Sequence, residues 1–369
     1  MRFPMLPAIS EKYSEGIYTK NQWLVDYTIF RDHHSNSTSI RAEAKVFQES
    51  MGKNSSDLAD RYRGALLGLA VGDALGTTLE FSSRADGEDH TEILGTGPFD
   101  LRPGQWTDDT SMALCLAYSL LNSCGFDADE QMQLYVQWWR DGLFSSTGKC
   151  FDIGNTVAAA LGRYEVTGNP FSGSAEERSA GNGSLMRLAP VVLFFASRPS
   201  DAILNAAESS KTTHANIEAV DACRYFAALI HGALIGVSKS ELLSSGYSPL
   251  KDYWIFHPLC DSIKAIADGS FKDKARDEIK SSGYVVDSLE AVLWSFYHGD
   301  SFEEGMIKAV NLAGDSDTIG AIYGQLAGAY YGECAIPFRW IKTIYSYHYF
   351  YYLADELVMF YYGKPVINN

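Results

Sequence analysis

Two short runs in this chain place paired carboxylates where a helix should begin. The first is Thr107-Asp108-Asp109-Thr110, followed by the apolar-periodic SMALCLAYSL. The second is Asp315-Ser316-Asp317-Thr318, followed by IGAIYGQLAGAYYG. A helix N-terminus favours negative charge, and capping alone explains one Asp and one Thr in each run. It does not require the second acid. The runs lie roughly two hundred residues apart and meet only in the fold. Four unpaired carboxylates brought together repel strongly, and cations relieve that repulsion. Neither run contains His or Cys, so every donor is oxygen. Such donors suit Mg2+, Mn2+ or Ca2+ rather than Zn2+. No twelve-residue loop ends in Glu as an EF-hand requires, and a DDxxD helix would need Asp where Met112 stands. Two hard ions roughly 3.5–4 Å apart would polarise a substrate oxygen and position a water.

Three other segments carry groups suited to chemistry. In Gly72-Asp73-Ala74-Leu75-Gly76-Thr77-Thr78-Leu79-Glu80, Asp73 interrupts a glycine stripe, an awkward place for a charge unless it is hydrogen-bonded. We read Asp73 as a capping group and Glu80 as a candidate general acid or base. Phe151-Asp152-Ile153-Gly154-Asn155-Thr156 sets another acid before a helix, either as an N-cap or as a functional group. Gly181-Asn182-Gly183-Ser184 is a small-residue turn whose exposed backbone N–H groups could cradle a phosphate.

The elements that must position these groups are helical. DLADRYRGALLGLAVGDALG is expected to form one helix with Ser56 or Asp57 as N-cap. TSMALCLAYSLLNS, DEQMQLYVQWWRDGLF, NTVAAALGRYEV, DAILNAAESSK, NIEAVDACRYFAALIHGALIG, SLEAVLWSFYHG, SFEEGMIKAVNLAG and TIGAIYGQLAGAYYG repeat apolar residues every three or four positions. Alternating β-type runs are scarce, so the expected class is all-α. Gly64, Gly68, Gly72 and Gly76 recur every four residues, as do Gly320, Gly324, Gly328 and Gly332. Each mid-helix Gly costs about 1 kcal/mol relative to Ala. Close backbone approach is what offsets that cost, so both stripes belong on central, buried helices. The expected organisation is an arm over residues 1–57 and one helical domain over 58–369. The arm is polar, yet Tyr18, Trp23, Leu24, Tyr27, Ile29 and Phe30 are more apolar anchors than a solvated tail needs.

The formal charge of −16 disfavours nucleic acid and anionic membranes and suits divalent cations or a basic protein partner. No run approaches the roughly 18 apolar residues of a membrane span, and the first residues are too broken by Pro and charge for a signal peptide. We expect a cytoplasmic protein. Its six cysteines form no CxxC pair and are expected to be reduced thiols.

In order, RGALLGLAVGDALGTTLEF, QWTDDTSMAL, FDIGNTV, SAGNGSLMRLAP, TTHANIEAVDAC and AGDSDTIGAIYGQLAGAYYG resemble the motifs of the ADP-ribosylglycohydrolases over about residues 58–335. The resemblance implies an all-α fold, a centre of two Mg2+ or Mn2+ ions, and removal of ADP-ribose from modified proteins, most often from arginine. It places the metal ligands on Thr107, Asp108, Asp109, Asp315, Asp317 and Thr318. It places Asp152 and Glu80 at the scissile bond without dividing their roles. Asn155, Gly181, Asn182, Gly183, Ser184 and His214 would line the ADP-ribose cleft. The compact family domain lacks an arm like residues 1–57. Bacterial members can act as immunity proteins against ADP-ribosyltransferase toxins, so the arm is a candidate for binding such a toxin, even for blocking its active site.

Overall fold

The computed structural model describes residues 53–84 and 87–362. Among the described residues there are twelve helices of seven residues or more, nine of them the segments with apolar periodicity. These are α1 (Lys53–Gly76), α2 (Asp108–Asn122), α3 (Ala128–Asp141), α4 (Asn155–Thr167), α5 (Ala189–Phe195) and α6 (Pro199–Lys211). They continue with α7 (Ile217–Leu234), α8 (Asp261–Ala267), α9 (Val285–His298), α10 (Phe302–Val310), α11 (Ser316–Tyr331) and α12 (His348–Tyr361). Among the described residues there is no strand, only isolated bridges. The fold is all-α.

The two glycine stripes face each other. A Cβ at Gly72 would stand 1.9 Å from Gly320 O, one at Gly324 1.9 Å from Gly68 O, and one at Gly328 1.9 Å from Gly64 O. α1 and α11 are therefore antiparallel and packed backbone to backbone, closer than side chains permit. Around this pair stand α2, α5, α7, α9, α10 and α12. The antiparallel register sets the C-terminal end of α1 beside the N-terminal end of α11: a Cβ at Gly76 would meet Ser316 O at 2.3 Å. That juxtaposition builds the site.

Two local expectations need correction. α1 begins at Lys53, so Ser56 and Asp57 lie inside it and do not cap it. No Gly or Pro stands between 53 and 57 to stop the helix there. α5, α8 and α12 were not legible as periodic segments. α12 (HYFYYLADELVMFY) is aromatic on most faces, which hides its period, and it docks on α1 through Arg63 Nε to Asp355 Oδ1 at 2.7 Å. The arm up to residue 52, with Tyr18, Trp23, Leu24, Tyr27, Ile29 and Phe30, lies outside the described residues. All six cysteines are free thiols. No helix among the described residues is long and apolar enough to cross a membrane.

Candidate metal and substrate site

Asp73 is wholly buried on α1 and organises the start of α2. Thr107 is the N-cap of α2 by position, yet its side chain caps nothing. Asp73 does the capping from a neighbouring helix. Its carboxylate accepts from Thr107 N at 3.0 Å, Thr107 Oγ1 at 3.0 Å, Thr110 N at 3.1 Å and Thr110 Oγ1 at 2.6 Å. The side-chain cap at α2 is thus supplied from α1 and not by Asp108 or Asp109. Both are buried, and Asp109 Oδ1 has no hydrogen-bond partner.

The second run sits on a bent loop. Ala313 and Gly314 have φ of +59° and +68°. A side chain at Gly314 would strike Ser281 O at 2.3 Å, so only Gly fits. Phe81 N donates to Gly314 O at 2.7 Å, and Gly314 N donates to Ser82 O at 3.0 Å. These bonds fasten the Glu80 loop to the Asp315 loop. Asp315 Oδ2 accepts from Asn182 Nδ2 at 2.6 Å, and Asn182 Nδ2 also reaches Ser288 Oγ at 2.9 Å. Across the site, Thr318 Oγ1 lies 3.4 Å from Asp109 Oδ2, joining the two acidic runs.

Asp152 approaches from the loop before α4, with φ of +58°. It is not an N-cap, since Gly154 holds that position. One carboxylate oxygen each of Glu80, Asp152 and Asp317 lie within 4.8 Å of one another. Glu80 Oε2 and Asp317 Oδ2 are buried without a partner. Burial, the like charges of Asp315 and Asp73, and an opposing hydrogen bond with Asp317 leave Glu80 raised to about 7. Burial and the charges of Glu80, Asp73 and Asp315 push Asp152 up to about 9. Burial first, then neighbouring carboxylates, raise Asp108, Asp109 and Asp317 well above the usual range. Buried oxygens without donors, crowded by like charge, are what a divalent cation neutralises. The donor set is all oxygen, and it fits Mg2+ or Mn2+.

The other expected residues fall at different depths. Asn155 is exposed, at the first turn of α4. Gly181 is half-buried, while Asn182, Gly183 and Ser184 are buried. Asn182 turns its amide inward to Asp315, and Ser184 Oγ accepts from Ser210 Oγ at 2.8 Å. His214 is 2% exposed and packs under the loop: a Cβ at Gly183 would lie 2.8 Å from its Cε1. Sequence reading overlooked an aromatic rim. Phe81, 71% exposed and at φ +57°, meets Phe99 edge-on at 6.3 Å, and Phe99 lies 5.3 Å from Phe151. Phe81 and Phe151 each directly adjoin a site carboxylate, Glu80 and Asp152. A Phe beside each acid was the only available signal.

Comparison with known proteins decides the family. The ADP-ribosylglycohydrolase profile matches residues 54–365. The chain belongs to the ADP-ribosylglycohydrolase family. It is 43% identical over 298 residues to the ADP-ribosylarginine hydrolase Tri1 of Pseudomonas putida (strain GB-1), covering 81% of this chain and 78% of that one. It is 32% identical over 292 residues to the ADP-ribosyl-[dinitrogen reductase] glycohydrolase of Rhodospirillum rubrum, covering 77% and 90%. A solved structure described as an ADP-ribosylglycohydrolase-related protein complex superposes with a TM-score of 0.73 at 42% identity, covering 83% of this chain and 99% of that one. The chain is thus a glycosidic hydrolase by family, and its buried acidic cluster stands where the α1 and α11 ends converge.

Proposed function

We propose that the chain hydrolyses the N-glycosidic bond between ADP-ribose and an arginine side chain of a modified protein. The observation that carries this reading is the cluster of Glu80, Asp152 and Asp317, with oxygens within 4.8 Å of one another. It occurs in a chain 43% identical to an ADP-ribosylarginine hydrolase. Thr107, Asp108, Asp109, Asp315, Asp317 and Thr318 would hold two Mg2+ or Mn2+ ions. Such ions polarise substrate oxygens and lower the pKa of a bound water.

The chain's own groups do the rest. Asp73 and Asn182 orient the two ligand runs by taking up hydrogen bonds the ligands would otherwise waste. Positive charge developing at the anomeric carbon is stabilised by the carboxylates around it. The bond from that carbon to the guanidine nitrogen breaks, and water adds its oxygen to the carbon. The proton lost by the water ends on the guanidine, with Glu80 and Asp152 as the carriers. One oxygen of each lies within 4.8 Å of the other, in the same cluster as Asp317.

The test is release of ADP-ribose from an arginine-ADP-ribosylated protein, with and without Mg2+. Asp108→Ala should abolish turnover. Full activity of that variant in metal-replete buffer would sink the assignment of metal ligands. We further propose that residues 1–57 serve a partner role, with a toxin that ADP-ribosylates proteins as the partner. The support is the acidic charge of −16 and the apolar anchors in the arm. Removing residues 1–52, which precede α1, should leave hydrolysis intact and weaken binding to such a transferase. Equal binding by the truncated chain would exclude the arm as an inhibitor.

A further inference from the structure

Arg187 is wholly buried, and among the described residues no carboxylate pairs with it. Its guanidinium lies over the Tyr135 ring at 4.5 Å. It donates to Thr213 Oγ1 at 2.7 Å, more weakly to Thr212 Oγ1 at 3.5 Å, and toward Met112 Sδ at 3.6 Å. A buried cation without a counter-charge is expensive to keep, and neutral acceptors alone give no reason for it.

The reason lies one bond further on. Thr213 Oγ1 is 2.9 Å from His214 Nδ1. A hydroxyl has one proton to donate and accepts through its lone pairs. Arg187 already donates to this oxygen, and Thr213 is wholly buried. Among the described residues the only acceptor beside the Thr213 hydroxyl is Nδ1. Its proton therefore goes to Nδ1, since the alternative is an orphaned buried donor. Nδ1 accepts, so the neutral imidazole carries its proton on Nε2. Burial, then the charge of Arg187, holds His214 down to about 3, which keeps the ring neutral. Nε2 makes no hydrogen bond among the described residues. It faces the glycine turn: a Cβ at Gly181 would lie 3.2 Å from it and one at Gly183 3.3 Å.

We propose that Arg187 is a positioning residue: through Thr213 it fixes His214, already expected to line the ADP-ribose cleft, as the Nε2–H tautomer, so that the ring presents a donor at the Gly181–Gly183 turn. Its consequence for ADP-ribose affinity rests on the reading above; the tautomer does not. Long-range 1H–15N spectra of the full chain should show Nδ1 unprotonated and Nε2 protonated. Arg187→Met frees Thr213 to accept from Nδ1, so Nδ1 should gain proton character. ADP-ribose affinity, measured by calorimetry with Mg2+ present, should fall about tenfold, the equivalent of one hydrogen bond. Its melting temperature should not fall, because an unpaired buried cation has been replaced by an apolar chain. His214→Asn, which cannot place a donor at the Nε2 position, should lose more affinity than His214→Gln, whose amide nitrogen reaches it. A protonated Nδ1 in the unmutated chain overturns the relay. So does an Arg187→Met protein with unchanged spectrum and affinity. Should Arg187→Met not fold, the unmutated spectrum and the Gln/Asn pair decide. Failure of the unmutated chain to bind ADP-ribose would instead refute the functional reading, leaving the tautomer measurement to judge the relay alone.

Discussion

Gly72→Ala and Gly162→Ala are the same substitution in two helices and should have opposite signs. At Gly72 the added Cβ would lie 1.9 Å from Gly320 O, where ordinary contact begins at 3.4 Å. α1 and α11 would have to part by about 1.5 Å in a region with no flexible side chain to yield. Overpacking costs typically about 1–3 kcal/mol, and backbone against backbone belongs at the top of that range. Ala returns about 1 kcal/mol of helix propensity. The net loss is about 2 kcal/mol, or about 4 °C in melting temperature for a domain of this size. Gly162 lies within α4, and an added methyl group there would find nothing within 4 Å. Gly162→Ala should therefore gain up to about 1 kcal/mol from propensity alone. Thermal unfolding of the two variants measures both signs. Gly72 also adjoins Asp73 and lies across from the α11 end that bears Asp317, so Gly72→Ala should weaken Mg2+ binding in a calorimetric titration. If both variants shifted stability in the same direction, the close approach of α1 and α11 would not be what the stripe is for.

Mg2+ or Mn2+ should raise the melting temperature and EDTA should reverse it, while Asp317→Asn should abolish the response. Without metal, Asp317→Asn should be at least as stable as the unmutated chain, because one of the repelling buried carboxylates is gone. The pH dependence should invert with metal. Glu80, at about 7, and Asp152, at about 9, are raised by folding above ordinary carboxylate values. The folded metal-free chain therefore binds protons more tightly than the unfolded one, and its stability should rise as pH falls from about 9 toward 5. Metal displaces those protons, so the stabilisation by Mg2+ should shrink over the same interval; unfolding scans at several pH values, with Mg2+ or EDTA, compare the two trends. Phe81→Gly should keep or raise thermal stability, since Phe81 is exposed and held at φ +57°. It should lower kcat/KM on arginine-ADP-ribosylated protein by up to about tenfold if the ring stacks on the guanidine, as cation–π energies of about 0.5–2 kcal/mol allow. Unchanged kinetics would leave the rim without a catalytic purpose.

The helical class was legible because a helix writes its period into every three or four residues. Nine of the longer helices carry that period openly, as α7 does from Ile217 to Leu234. α12 does not, because aromatic residues surround it and conceal which face is inward. The acidic runs were legible because two carboxylates at one helix start exceed what capping needs. Asp73 as a cap was readable from the cost of a charge in a glycine stripe, although its partner helix was not. Asn182 could be read only as part of a turn. Its bond to Asp315 spans 133 positions, and nothing local announces it.

By itself the sequence determined which residues could do chemistry and which ligand class suits them, since oxygen donors, glycine spacing and charge are properties of residue type. Only the tertiary structure decided that α1 and α11 run antiparallel at backbone distance, so that Glu80 and Asp317 meet. It alone brought Asp152 to the same point and set Arg187, Thr213 and His214 in line beneath the glycine turn. These are consequences of packing. A side chain's neighbours across a helix interface depend on register and crossing, which no stretch of local sequence encodes.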